Sequence, residues 1–185
     1  MQTMKQLLIG CGRNKQKKVS LQKDGPDWDE LITLDINPAV NPDIVWDLNK
    51  LPYPFDDDTF DEIHAYEVLE HLGALGDYKS FLAQFQELWR ILKPNGVLIG
   101  SAPALESPWL FGDPGHTRVI SLETLTYLSQ SAYGQIDRGS PMTDYRDIYK
   151  GNLTLVGHRV EKVVGLKGVE ESSAAIFIFI LQALK

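Results

Sequence analysis

Gly10 and Gly12 are the first residues in the chain whose type and spacing could do chemistry. They close a short apolar run, residues 7–9, and Leu and Ile there suit a strand buried on both faces. A residue without a Cβ lets the backbone turn tightly and lets a ligand approach the main chain closely. Cys11 lies between them. A second apolar run, residues 31–35, ends in Asp35, roughly 20 to 25 residues past the glycines, where a carboxylate can accept hydrogen bonds from ribose hydroxyls. A third run, residues 43–47, ends in Asp47. Strands ending in Gly-x-Gly, Asp and Asp place their polar ends on one edge of a parallel sheet, and ligands bind beyond the carboxyl ends of such strands. The third glycine of a G-x-G-x-x-G pattern is missing, with Lys15 in its place.

Further runs follow in order: Trp46-Asp47-Leu48, Leu51-Pro-Tyr-Pro-Phe-Asp-Asp-Asp-Thr-Phe-Asp61, Glu67-Val-Leu-Glu-His-Leu72, Leu88-Trp-Arg-Ile-Leu-Lys-Pro-Asn-Gly96 and Asp113-Pro-Gly-His-Thr-Arg118. With residues 7–12 and 34–35, they resemble the class I S-adenosylmethionine-dependent methyltransferases, in particular the small type 11 branch. The resemblance covers about residues 5–130. It implies a doubly wound α/β fold with a seven-stranded, mostly parallel sheet and an antiparallel final strand. It also implies S-adenosylmethionine as cofactor. Backbone N–H groups around Gly10, Cys11 and Gly12 would face the methionine portion. Asp35 would take the ribose hydroxyls, and Ile36 would lie against the adenine. Asp47 would accept from the adenine amino group and the Leu48 N–H would donate to a ring nitrogen. Tyr66 and Glu67 would lie near the sulfonium, where carboxylates and ring faces suit a cation.

Methyl transfer from a sulfonium leaves a neutral thioether, so alignment and exclusion of water matter most. A base is needed only if the acceptor must lose a proton. His71, one turn after Glu67, and His116, in the 113–118 run, are the two candidates, and Arg118 could bind an acidic substrate group. His64 and His158 fall in strand-like runs and read as structural. Two other readings compete: a nicotinamide-dependent oxidoreductase, since Gly-x-Gly with a distant Asp suits that cofactor too, and a cofactor-binding scaffold without turnover.

The chain has 185 residues, 43% hydrophobic and 23% charged, which fits one domain over residues 1–185. Its net charge of −7 argues against a phosphate-rich partner, since nucleic-acid binding needs clustered Lys and Arg; a small-molecule acceptor is expected. The one dense basic stretch, residues 13–18, reads as a solvated loop. Cys11 is the only cysteine and reads as packing, with neither a disulfide nor a cysteine-rich metal site available. No metal is expected, and Asp56-Asp57-Asp58 reads as a solvated turn. No apolar run reaches the roughly 20 residues that span a membrane, so a cytoplasmic protein is expected.

These groups need elements to position them. Beyond the strands above, residues 60–66 read as the fourth strand and 97–101 as the fifth. Asp77 caps a helix whose apolar positions Tyr78, Phe81, Leu82, Phe85, Leu88, Trp89 and Leu92 follow i, i+3, i+4 spacing. After Gly12, residues 14–20 are polar and Asp24-Gly25-Pro26 breaks the chain, so the usual helix there is short, irregular or absent. Residues 102–120 form a long loop at the ligand edge. Ser121 caps a helix running to about Ser131. Residues 133–138 read as a short strand, 153–164 as a longer one, and 173–183 as a buried strand pairing with it in a hairpin. The edge strand at 153–164 leaves a place where a second subunit could pair.

Overall fold

Alternation decides which side chains face which layer. In β1 (Lys5–Ile9), Leu7 and Ile9 join the larger of two cores, while Gln6 and Leu8 point the other way. The protein is seen in a computed structural model that describes residues 3–21, 28–163 and 174–185. The expected break at residues 24–26 lies outside the described residues.

The described residues form a seven-stranded sheet in the order β3-β2-β1-β4-β5-β7-β6. Its other strands are β2 (Glu30–Asp35), β3 (Ile44–Val45), β4 (Phe60–Tyr66), β5 (Leu92–Pro103), β6 (Leu153–Val163) and β7 (Ala174–Ala183). β1 to β5 pair in parallel, and β7 runs antiparallel to β5 and β6. This is the expected sheet, with the expected terminal hairpin and with β6 on the edge.

α1 (Tyr78–Ile91) covers one face. The Asp77 side chain accepts from Ser80 N at 3.1 Å, and Leu82, Phe85, Leu88 and Ile91 are buried against Leu7, Ile63 and Leu98. Each such side chain contributes about 1.5–3 kcal/mol by leaving water. The opposite face is covered differently. Its cluster is Leu8, Cys11, Val19, Tyr66, Ile99 and Ile178, with Trp28 against it, and no α-helix of the described residues contributes to it. The irregular segment expected after Gly12 is itself the cover.

Two local expectations fail. The helix capped by Ser121 stops early, as α3 (Leu122–Thr126), after one short element, α2 (Trp109–Gly112), in the long loop. A separate α4 (Gln130–Tyr133) follows. Gln130 is drawn to another part of the chain: its N–H donates to Asn152 Oδ1 at 3.0 Å, and its side chain donates to the carbonyls of Tyr149 and Gly151. Residues 133–138 are not a strand. Tyr133 is fully buried and donates to Tyr127 O at 2.8 Å, and Ile136–Arg138 form a 3-10 turn ended by Gly139 at φ +89°.

Candidate functional site

In-register pairing of Ile9 with Leu34 and with Ala65 brings Gly10, Asp35 and Tyr66 to one sheet edge. The two glycines there do different work. A Cβ on Gly10 (φ +58°) would overlap the Val68 side chain, so Gly10 permits packing. Gly12 (φ +53°) has open space where its Cβ would be. Gly12 is therefore the one of the two with room for another group to approach its backbone. Cys11 is buried and donates its N–H to Leu34 O at 3.2 Å; burial pushes its thiol pKa up, which suits packing.

Asp35 accepts from Gly12 N at 2.9 Å through one carboxylate oxygen and from Asn37 N at 2.8 Å through the other. An ionised carboxylate has about four lone-pair sites, so two remain for a diol. Ile36 is 63% exposed, free to lie against a flat ring. Asp47 is half-buried and holds the next turn, accepting from Asn49 N at 2.9 Å. Leu48 is buried, and its carbonyl accepts from Tyr53 OH. These positions fit a nucleoside with a charged amino-acid tail.

Glu67 sits at φ +52°, a left-handed conformation that a non-glycine residue adopts at a cost of about 1–2 kcal/mol. Two bonds to one residue hold it: Glu67 N donates to Ser101 O at 2.9 Å and Ser101 Oγ donates to Glu67 Oε1 at 2.7 Å. Tyr66 is placed otherwise than expected. It packs with Cys11, Val19 and Ile99 on the far face, with its hydroxyl 2.6 Å from His64 Nδ1 and accepting from Val19 N at 3.2 Å. Burial pushes its pKa up to about 12.

The basic stretch also departs from its reading. Lys17 is an almost fully buried partner of Glu62, 3.0 Å away, and its ammonium lies over the Trp28 ring. Glu62 also accepts from Gln6 Nε2 and lies 3.0 Å from His64 Nε2. Burial pulls the Glu62 pKa upward, but the His64, Lys17 and Gln6 contacts outweigh it and hold the group at about 2. Lys15 donates to Asn41 O at 2.6 Å, and Lys18 lies over the Tyr66 ring. A solvated loop was expected because nothing in a single sequence shows that Gln6, Glu62 and His64 share a face.

His71 and His116 meet, their rings 4.7 Å apart and edge to face. Both line a cavity of about 270 Å³ with Glu67, Glu70, Ser107, Trp109 and Asp113. Glu70 escaped the sequence reading, although Glu67-x-x-Glu70-His71 crowds three polar residues into a turn. It is buried, and burial, with Glu67 and Asp113 nearby, pushes its pKa up to about 8. Arg118 is buried away from this cavity, donating to Gln84 Oε1 at 2.5 Å and lying over the Phe81 ring. It borders a second, apolar hollow with Leu75, Tyr78 and Tyr145. Unlike the first cavity, that hollow is not lined by Glu67 at the carboxyl end of β4.

A sheet of this order, with a Gly-x-Gly loop and two strand-end aspartates, defines a nucleoside-binding α/β fold of the methyltransferase type. The solved structures similar to it carry that fold. An S-adenosylmethionine-dependent methyltransferase from Archaeoglobus fulgidus is 16% identical, with TM-score 0.59, covering 97% of this chain and 86% of its own. The N-methyltransferase NodS from Bradyrhizobium japonicum, in complex with S-adenosylhomocysteine, is 14% identical, with TM-score 0.59 and coverages of 99% and 79%. A putative Haloferax volcanii methyltransferase, in complex with the Trm112 activator, is 14% identical, with TM-score 0.59 and coverages of 100% and 84%. A comparison with curated proteins finds no match. The type 11 methyltransferase-domain family model matches residues 7–100, and the chain belongs to that family. Its cofactor is S-adenosylmethionine, and its activity S-adenosylmethionine-dependent methyl transfer. The nicotinamide reading is set aside. No helix of the described residues is long and apolar enough to cross a membrane.

Proposed function

We propose that the chain methylates a small-molecule acceptor held in the cavity between Glu67 and the 103–116 loop. The observation that carries this reading is the position of that cavity, which opens beside Glu67 at the carboxyl end of β4. Bound S-adenosylmethionine supplies an electrophilic methyl group on a sulfonium. Gly12 and its neighbours receive the amino-acid portion with backbone N–H groups. Asp35 takes the ribose hydroxyls with its two remaining lone-pair sites, and Ile36 covers the adenine. Asp47 and the Leu48 N–H face the adenine edge. Glu67 stands near the positive sulfur, and Trp109 and Pro103 keep water from the acceptor side. His71 and His116 are the groups within reach of an acceptor hydroxyl.

Charge as well as volume supports a small acceptor over a nucleic acid. The net charge is −7, and Lys15, Lys17 and Lys18 are engaged within the protein, which leaves little for a phosphate backbone. Calorimetric titration with S-adenosylmethionine, S-adenosylhomocysteine and NAD tests the site. Micromolar binding of the first two, and none of NAD, is expected. Transfer of labelled methyl to a panel of hydroxyl, amine and carboxyl compounds, with protein and RNA alongside, then tests the acceptor. Labelling confined to protein or RNA overturns the small-molecule reading. Cofactor binding without product across the panel would favour the scaffold alternative.

A further inference from the structure

Glu70, His71 and His116 each offer a ligand atom within 4.8 Å of the other two. Glu70 is 1% exposed, and neither of its carboxylate oxygens has a hydrogen-bond partner. Buried polar oxygens are nearly always partnered in folded proteins, so two orphaned ones at the wall of a cavity point to a group that binds there. The histidines are oriented to meet such a group. His71 Nδ1 lies 3.0 Å from Gly115 O, and His116 Nδ1 lies 3.3 Å from Leu110 O. A carbonyl only accepts, so each Nδ1 carries a proton and each Nε2 presents its lone pair. Imidazoles that bind metals are fixed this way. The loop bearing His116 is pinned to Glu70 itself, whose carbonyl accepts from Thr117 N at 2.9 Å and Arg118 N at 3.1 Å. Asp113 Oδ2, 3.8 Å from His116 Nε2, completes the rim.

We propose that Glu70, His71 and His116 bind a divalent first-row transition cation whose open coordination positions take an oxygen of the methyl acceptor. Two imidazoles and one carboxylate suit manganese, iron, cobalt, nickel or zinc, whereas magnesium and calcium prefer all-oxygen sites. Bonds of about 2.0–2.2 Å require the side chains to close by on the order of 1 Å. His71 is exposed and can make that adjustment. A cation there polarises an oxygen ligand and favours its deprotonated form. The histidines then act as ligands, and neither needs to serve as the base. The acceptor class narrows to hydroxyl compounds, best of all those with two adjacent oxygens. This rests on the methyltransferase reading above.

The test uses chelator-treated full-length protein and calorimetry with Co²⁺, with Mg²⁺ in parallel. One equivalent of Co²⁺ with micromolar Kd is expected, and no comparable Mg²⁺ binding. His116→Ala and Glu70→Gln should each weaken Co²⁺ at least 30-fold. His158→Ala, at an exposed histidine on β6, should leave it unchanged. The metal-free thermal midpoint of Glu70→Gln should not fall below that of the parent, which separates lost ligation from lost folding. No stoichiometric Co²⁺ binding, or binding that survives in both site variants or weakens equally in His158→Ala, overturns the site. S-adenosylhomocysteine is titrated into the same samples. If it binds while Co²⁺ does not, the metal site alone fails; if Co²⁺ binds and it does not, the cofactor assignments fail.

Discussion

Lys17→Met breaks a buried ion pair and leaves Glu62 without its only full counter-charge among the described contacts. Removing one partner of such a pair costs about 3–5 kcal/mol. Glu62 retains Gln6 and His64, so we expect about 2–3 kcal/mol, or roughly 5–10 °C in Tm for a chain of this size. Urea unfolding at pH 7, followed by tryptophan fluorescence, measures it. Lys17→Met with Glu62→Gln should lose less than the sum of the single variants, by about 1 kcal/mol or more. The pH dependence supplies a second check. The folded Glu62 pKa is about 2 against an ordinary 4.5, so its contribution is full above pH 4.5 and is lost as pH falls towards 2. The stability gap between the parent and Glu62→Gln should close over that window. His64, whose pKa burial lowers, adds to the loss in the same direction below its ordinary 6.5. A Lys17→Met variant within about 0.5 kcal/mol of the parent, or strict additivity in the double variant, would refute the reasoning.

Three further outcomes follow from the geometry. Asp35→Ala should weaken S-adenosylhomocysteine at least tenfold, about 1.4 kcal/mol, by calorimetry; unchanged affinity removes Asp35 from the site. Gly10→Ala should destabilise by about 3 kcal/mol, from overlap with Val68 and its left-handed φ, and Val68→Ala should recover part of that. Gly12→Ala, with open space around it, should lose only about 1–2 kcal/mol of stability while impairing cofactor binding; equal stability losses at both glycines would contradict this division. Tyr149→Phe should raise stability by about 1 kcal/mol, because the Tyr149 hydroxyl is buried without a partner, and a fall in Tm on thermal unfolding would count against it.

The parallel sheet was legible because its strands are short apolar runs that stop at glycine or aspartate, and α1 because six of the seven apolar positions read as its stripe lie within it, the seventh, Leu92, opening β5 instead. The shared edge followed too, since the chain at or just past the ends of β1, β2 and β3 carries Gly12, Asp35 and Asp47. Pairings set by distant residues stayed hidden. The Lys17–Glu62 contact joins two segments only once β1 and β4 lie side by side. Likewise, His71 meets His116 because a loop folds back onto the Glu70 carbonyl, a contact with no periodic signature. The split between α3 and α4 depends on Asn152 reaching Gln130, and propensity alone would have continued the helix.

The segment after Gly12 roofs the far side of the sheet and, in the function proposed above, also meets the bound cofactor. Those two duties make it a single opening unit in the native-state sense. When it lifts, the Lys17–Glu62 pair, the Trp28 edge and the Tyr66 hydroxyl bond to Val19 come apart together, and solvent reaches Leu8 and Ile99. The bound cofactor adds binding free energy to the closed form alone. Amide exchange should therefore slow in β1, β4 and β5 on the face away from the bound nucleoside. Occupancy of the site would be recorded across the thickness of the sheet.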